Sequence, residues 1–316
     1  MIPATDPDRA AIDEGPRIVV AGEQVVDLVP AGDGLLRAAL GGGPATTAIA
    51  AARLGARVAM VARLGRDSFG QAFRNRLALS GVDTSFLKTT AQPSALALAN
   101  VDPDGEAAYD FWLSGAADFG WRFHELPKLD PGTTIHIGSL AAFLPPGADA
   151  IERWAAEHRD RCIISFDPNL RPVALARPDS LVRLERLAAL AHVIRVSEQD
   201  LELAYPTVAA LDTAKRWLPG KRLILLTAGA AGATALTEDG IEHVPAPVVS
   251  AVDTIGAGDT ATGALLAGLD AGRDDLYEFA CTAAALTCTR VGADPPTLDE
   301  VLSRMSDPGT GAPPGR

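Results

Sequence analysis

Short apolar runs alternate with helix-patterned stretches along most of this chain, and that rhythm restricts the fold more than any other feature. Ile18-Val19-Val20-Ala21 is a strand run ending at Gly22; Ala48–Leu54 and Phe69–Leu79 have helical character, with the strand run Val58–Val61 between them. The alternation continues through the strand Thr134–Gly138, a helix over Ile151–His158, the strand Ile163–Phe166, a helix over Leu181–Ala191 and the strand Val193–Val196. Helices near Gln199–Ala204 and Asp212–Leu218 and the strand Leu223–Leu226 follow. Such a chain predicts an α/β fold with a mostly parallel sheet and helices on both faces.

One region departs from the rhythm. Ala95–Val101 and Ala107–Trp112 read as two strands around the turn residues Asp102-Pro103-Asp104-Gly105, which predicts a hairpin serving as an edge extension or a lid. Phe111 and Trp112 put aromatic surface on it, and Val25–Val29 can pair with it to form a small second sheet. The alternative is a set of edge strands in the main sheet. Residues 1–16 and 304–316, polar and rich in Pro and Gly, are expected to be disordered tails around one domain over residues 17–303.

Composition excludes several functions. The 316 residues are 47% hydrophobic and 22% charged, enough for a large core, and the formal net charge of −12 without a Lys/Arg-rich block argues against nucleic acid or an anionic membrane as partner. Cys162, Cys281 and Cys288 lack CxxC spacing and read as small core residues of a reducing, cytoplasmic compartment. No stretch of about 18 uncharged apolar residues suggests a membrane span. The histidines have no metal-ligand spacing, and no P-loop or Gly-x-Ser-x-Gly elbow is present. Gly256-x-Gly258-x-x-Ala261 fits the loose dinucleotide fingerprint but lacks the βαβ unit and ribose-binding acid that fingerprint needs.

The chemistry gathers at loops. Asp253-Thr254-Ile255-Gly256-Ala257-Gly258-Asp259 enters a helix of small residues, so unpaired amides and the helix dipole make an anion nest. Asp259 beside it is a helix cap or a proton acceptor. Gly41-Gly42-Gly43-Pro44-Ala45-Thr46 opens another helix, as a close-approach loop or a flexible connection. Asp167-Pro168-Asn169-Leu170-Arg171 follows a buried strand and offers a carboxylate, an amide and a guanidinium, or else only an Asx turn. Ser197-Glu198-Gln199-Asp200 reads as a capped helix start, or as outer-sphere acids for hydrated Mg²⁺. Thr227-Ala228-Gly229-Ala230-Ala231-Gly232 suits a tight turn or a base and ribose lying on backbone.

In order and spacing these segments resemble the ribokinase-like (PfkB) carbohydrate kinases, fructokinases in particular, over about Arg17–Leu302. The resemblance rests on the Gly41–Ala45 loop, Arg63-Leu64-Gly65-Arg66-Asp67-Ser68-Phe69-Gly70, Gly81-Val82-Asp83-Thr84 and Asp253-Thr254-x-Gly256-Ala257-Gly258-Asp259. It implies a three-layer sandwich with a small β lid from about residues 23–36 and 94–113, and transfer of the ATP γ-phosphate to a sugar hydroxyl. The acceptor it implies is fructose or a related ketose, with ribose or 2-keto-3-deoxygluconate as alternatives and a non-catalytic binding homologue as the other class.

By the same resemblance Asp259 is the general base, and the amides of Gly256, Ala257 and Gly258 hold the phosphoryl charge. Asp27, Gly42, Gly43, Thr46, Phe111 and Arg171 face the sugar, while Asn169, Ser197, Glu198, Thr227, Gly229, Gly232 and Cys281 face ATP and Mg²⁺. Carbonyls near Asp253, Ile255 and Gly292 are implied to hold a monovalent cation, K⁺, and the lid a homodimer contact. Four elements depart from the family pattern. Thr46 replaces a sugar-binding Asn, and Ser197 and Asp200 replace the Asn and Glu of N-x-x-E. Cys281 replaces an Asn, and Ile255, Thr260 and Ala261 replace Thr, Ala and Phe.

Overall fold

A computed structural model of the chain describes residues 15–101 and 107–307. From the N-terminus come the strands β1 (Ile18–Ala21), β2 (Val25–Pro30) and β3 (Leu36–Leu40), the helix α1 (Gly43–Arg53), β4 (Val58–Val61), β5 (Arg63–Gly65) and α2 (Ser68–Leu79). Next are β6 (Lys88–Thr90), β7 (Ala95–Val101), β8 (Ala107–Trp112), β9 (Thr134–Gly138), α3 (Gly147–His158), β10 (Ile163–Asp167), α4 (Pro172–Leu175) and α5 (Ser180–Leu190). The chain continues through β11 (Val193–Ser197), α6 (Glu198–Ala204), α7 (Ala210–Trp217), β12 (Leu223–Thr227), β13 (Ala233–Thr237), β14 (Gly240–Val244), α8 (Ala257–Ala271), α9 (Leu276–Thr287) and α10 (Leu298–Ser306).

The main sheet has the order β14-β13-β12-β11-β10-β9-β1-β4. From β4 to β12 every pairing is parallel, and β13 and β14 add an antiparallel edge. Its central strands are buried on both faces, which is why they read as unbroken apolar runs and not as alternating ones. One core lies under α3, α5 and α7, with Trp154, Leu187 and Trp217. The other lies under α1, α2, α8 and α9, with Ile49, Phe73, Leu265 and Phe279. The result is the expected three-layer α/β arrangement.

Strand order reverses beside β1, which neighbours β4 on one side and β9 on the other. Crevices at such a switch point, beyond the carboxyl ends of the strands, bind ligands in open α/β sheets. Over this edge stands a second sheet, β3-β2-β7-β8, in which β2 pairs parallel to β7. The hairpin is therefore an element of a separate sheet and not an edge of the main one; its turn, Asp102–Gly105, lies outside the described residues.

Two expectations change. The small sheet includes β3, so its first segment runs past residue 36 to Leu40; a short strand following the Gly32-Asp33-Gly34 turn carries too little alternation to announce itself. Residues 304–306, expected to be irregular, complete α10, which Thr297 and Glu300 start with a capping box. The remaining tail residues, 1–14 and 308–316, lie outside the described residues. Cys162 and Cys281 are buried and Cys288 half-buried, and all three are free thiols.

Candidate active site

Two helix N-termini meet beneath the second sheet. Helix α1 can approach α8 closely because Gly263 presents no side chain: a Cβ there would lie 2.6 Å from the Ala50 Cβ and the Thr47 carbonyl oxygen. The Thr47 hydroxyl donates to the Asp259 carbonyl at 3.2 Å across the same seam. Gly256, in the left-handed region at φ 79°, is the N-cap of helix α8, and no side chain caps the helix. Asp259 is thus the third residue of the helix and not its N-cap.

The Asp259 carboxylate points at the other glycine loop. Asn169 donates its Nδ2 to Asp259 Oδ1 at 3.2 Å. A Cβ on Gly43 would come within 2.5 Å of that Nδ2 and 2.8 Å of that Oδ1, so the loop is glycine because a carboxylate and an amide press on its backbone. Gly42 adopts φ 96°, where an L side chain is strained. Asn169 also sits at positive φ, its amide donating to Asp167 Oδ1 at 3.1 Å, so the Asx turn and the reach to Asp259 coexist. Burial, with the charge of Asp167 added, pushes the Asp259 carboxyl up to about 7, while Arg171 and Arg195 pull it down. A carboxyl poised near neutrality is suited to accept a proton from a hydroxyl.

A cavity of about 370 Å³ opens here, between the edge of the main sheet and the small sheet. Of the residues singled out from the sequence, Asp27, Gly42, Gly43, Thr46, Phe111, Asn169, Arg171, Ser197, Ile255, Gly256, Gly258 and Asp259 line it. Asp27 sits against Gly41, and burial raises its carboxyl to about 6 against the pull of Arg171 and Arg76. Along β8 side chains alternate faces, so Phe111 and Tyr109 stack at 6.0 Å and face the cavity while Trp112 points away, 55% exposed.

The other residues surround this centre. Ser197 caps α6 in a reciprocal box with Asp200, whose second oxygen accepts from the Leu170 amide at 2.7 Å. That carboxylate is therefore committed to local structure, and Glu198 beside it is exposed. The Thr227 hydroxyl accepts from Arg195 Nη2 at 2.6 Å. Gly229 and Gly232 take positive φ in the turn after β12, and a Cβ on Gly232 would meet the Val244 carbonyl. Cys281 is buried on α9, where burial raises its thiol to about 11. Asp253 accepts from the amides of Ile255 at 3.0 Å and Gly292 at 2.8 Å, which ties together the two loops whose carbonyls are the cation candidates. Among the described residues no cluster of His, Cys, Asp and Glu could hold a metal ion by side chains.

Sequence reasoning missed several lining residues, among them Glu23, Tyr109, Ser139, Arg195 and Ala293. Arg195 is the most consequential. It is buried, donates to Asp167 Oδ2 at 3.2 Å, and packs so closely under Gly258 that a Cβ there would lie 2.8 Å from Nη1. Thr262 donates to the same Asp167 oxygen at 2.7 Å. The available signal was a lone charge inside the apolar strand Val193-Ile194-Arg195-Val196. Glu23 is buried, with its carboxylate accepting from the Ala141 amide at 2.9 Å, and burial raises its pKa.

An anion nest beside a carboxyl poised near pH 7, under a small sheet that closes the other side of the cavity, defines a phosphoryl-transfer site on an α/β scaffold. Comparison with known proteins agrees. Residues 16–300 match the pfkB family carbohydrate kinase model. A fructokinase of Klebsiella pneumoniae is 35% identical over 81% of this chain and 85% of its own length. A fructokinase double mutant from Vibrio cholerae O395, solved with fructose, ADP and potassium ion, superposes with a TM-score of 0.83 at 28% identity, covering 91% of this chain and 97% of that one. Aminoimidazole riboside kinase from Salmonella enterica, complexed with its riboside and an ATP analogue, gives 0.81 at 27% identity over 90% and 98%. The chain belongs to the pfkB family of carbohydrate kinases, and it is an ATP-dependent sugar kinase.

Proposed function

We propose that the acceptor is fructose or a closely related ketose, bound between Asp27, Thr46, Phe111, Arg171 and the Gly42-Gly43 loop. Asp259 takes the proton of the attacking hydroxyl, the sugar oxygen bonds to the γ-phosphorus, and the bond to ADP breaks. Amides of Gly256, Ala257 and Gly258 stabilise the charge gathering on the transferred group. The single observation behind this reading is the convergence of Asp259, Asn169 and Gly43 on one point beside the nest.

Asn169, Ser197, Glu198, Thr227, Gly229, Gly232 and Cys281 line the route proposed for the nucleotide, which carries Mg²⁺ as counterion. Carbonyls at Asp253, Ile255 and Gly292 would hold K⁺; the bond from Gly292 to Asp253 supports this by bringing both loops together. The kinase domain spans residues 17–303, and its small sheet acts as a lid that excludes water from the transfer. Exposed Leu36 and Trp112 on that sheet support a homodimer contact through it. No helix of the described residues is long and apolar enough to cross a membrane.

A panel of fructose, ribose, 2-keto-3-deoxygluconate and nucleosides, assayed with MgATP for ADP release, tests the assignment. Fructose is expected to give the highest kcat/KM. Preference for a riboside or the keto acid would overturn the sugar, and no sugar-dependent ADP would overturn catalysis.

A further inference from the structure

Arg76, in the last turn of α2, lies outside every motif quoted above, yet its guanidinium joins two parts of the site remote in sequence. Its Nη1 donates to the carbonyl of Leu40, the last residue of β3 and the one before the triple-glycine loop. Its Nη2 donates to the carbonyl of Ala293 at 2.6 Å. Ala293 in turn packs against Gly256: a Cβ on that glycine would lie 2.7 Å from the Ala293 Cβ and 2.9 Å from its Cα. One rigid, planar fork therefore runs from the small sheet to the residue that backs the N-cap of the nest. Arg76 also acts electrostatically on Asp27. Arg53 holds the same loop from another side, through Asp294 and the Pro295 carbonyl, both at 2.6 Å.

We propose that Arg76 is a positioning residue that couples the sugar end of the site to the phosphoryl end: when the small sheet grips sugar, Leu40 carries the displacement through Arg76 to Ala293 and Gly256, which sets the nest. This rests on the sugar-kinase reading with the sugar at Asp27. Coupling of this kind needs a physical element that both ligands bias, and the fork, fixed at both ends to backbone, is one. A methionine would keep the packing of the stem and lose both bonds.

The test is calorimetric binding of ADP with and without saturating fructose, in the wild type, Arg76→Met and Arg53→Met. Wild-type turnover of fructose is measured first, so that failure of the sugar-kinase reading is seen separately. Fructose is expected to tighten ADP binding on the order of 10-fold in the wild type and less than about 2-fold in Arg76→Met, with each ligand's separate affinity within about 3-fold. Arg53→Met is expected to keep the coupling. Ala293→Gly removes the methyl packed against Gly256 while leaving α2 intact, and is expected to lose most of the coupling as well, which covers a poorly folding Arg76 variant. An active wild type without coupling, full coupling in either uncoupling variant, or equal loss in Arg53→Met would each overturn the proposal.

Discussion

At the scale of single residues, function depends on where two charges sit. Asp259 is held near neutrality by burial and by Asp167, so kcat/KM is expected to rise with pH along a limb centred near 7 as the carboxyl loses its proton. Asp259→Asn should lower kcat by on the order of 10²-fold or more, abolish that limb, and leave sugar binding in place by calorimetry. Arg195 is the other charge. Replacing it with Met strands Asp167 as a buried, unpaired carboxylate, which is expected to cost about 3 kcal/mol or more in urea unfolding, along with activity. A reading of Asp259 as a helix cap or a proton acceptor was legible from the glycines around it, and its place as the third residue of α8 removes the N-cap. The role of Arg195 was not legible, since a charge in an apolar strand gives no hint of which neighbour pairs it.

At the scale of elements, the seam between α1 and α8 decides whether the two glycine loops meet. Gly263 lets α8 lie against Thr47 and Ala50, and a methyl there must push the helices apart. Gly263→Ala is expected to destabilise by about 1–3 kcal/mol through overpacking. It should also lower kcat more than it raises the KM for sugar, because Asp259 and Asn169 would move relative to Gly43. Thermal melts with steady-state kinetics read both effects. The helical pattern of α1, α2, α3, α5, α6, α7 and the small-residue run of α8 was legible in the sequence, whereas α4, α9 and α10 were not read from it. Strand β3 and the antiparallel pair β13 and β14 were not either, because short edge strands are specified mainly by the neighbour they pair with.

At the scale of the whole molecule, several buried carboxyls carry raised pKa values. Burial lifts Asp118 to about 7 and Asp27 to about 6, and raises Glu23 as well, beside Asp259. Each binds its proton more tightly folded than unfolded. Between about pH 4 and 7 these four groups leave the native state holding more protons, which lowers stability as pH rises; buried His136, lowered to about 3, opposes them as a single large shift below about pH 6.5. The ligand-free protein is expected to show a declining Tm from pH 5 to pH 8 in scanning calorimetry; a rising Tm over that range would contradict these assignments. The α/β class, the hairpin of β7 and β8 and the glycine turn that carries Asp259 are legible in the chain, because each is written in local periodicity or local backbone chemistry. That Asp259 faces Gly43 and Asn169, that Asp200 reaches the Leu170 amide and that Arg195 lines the cavity was settled by the packing of distant elements. Those outcomes depend on which strands and helices become neighbours, and contacts between residues far apart in the chain leave no periodic trace in it.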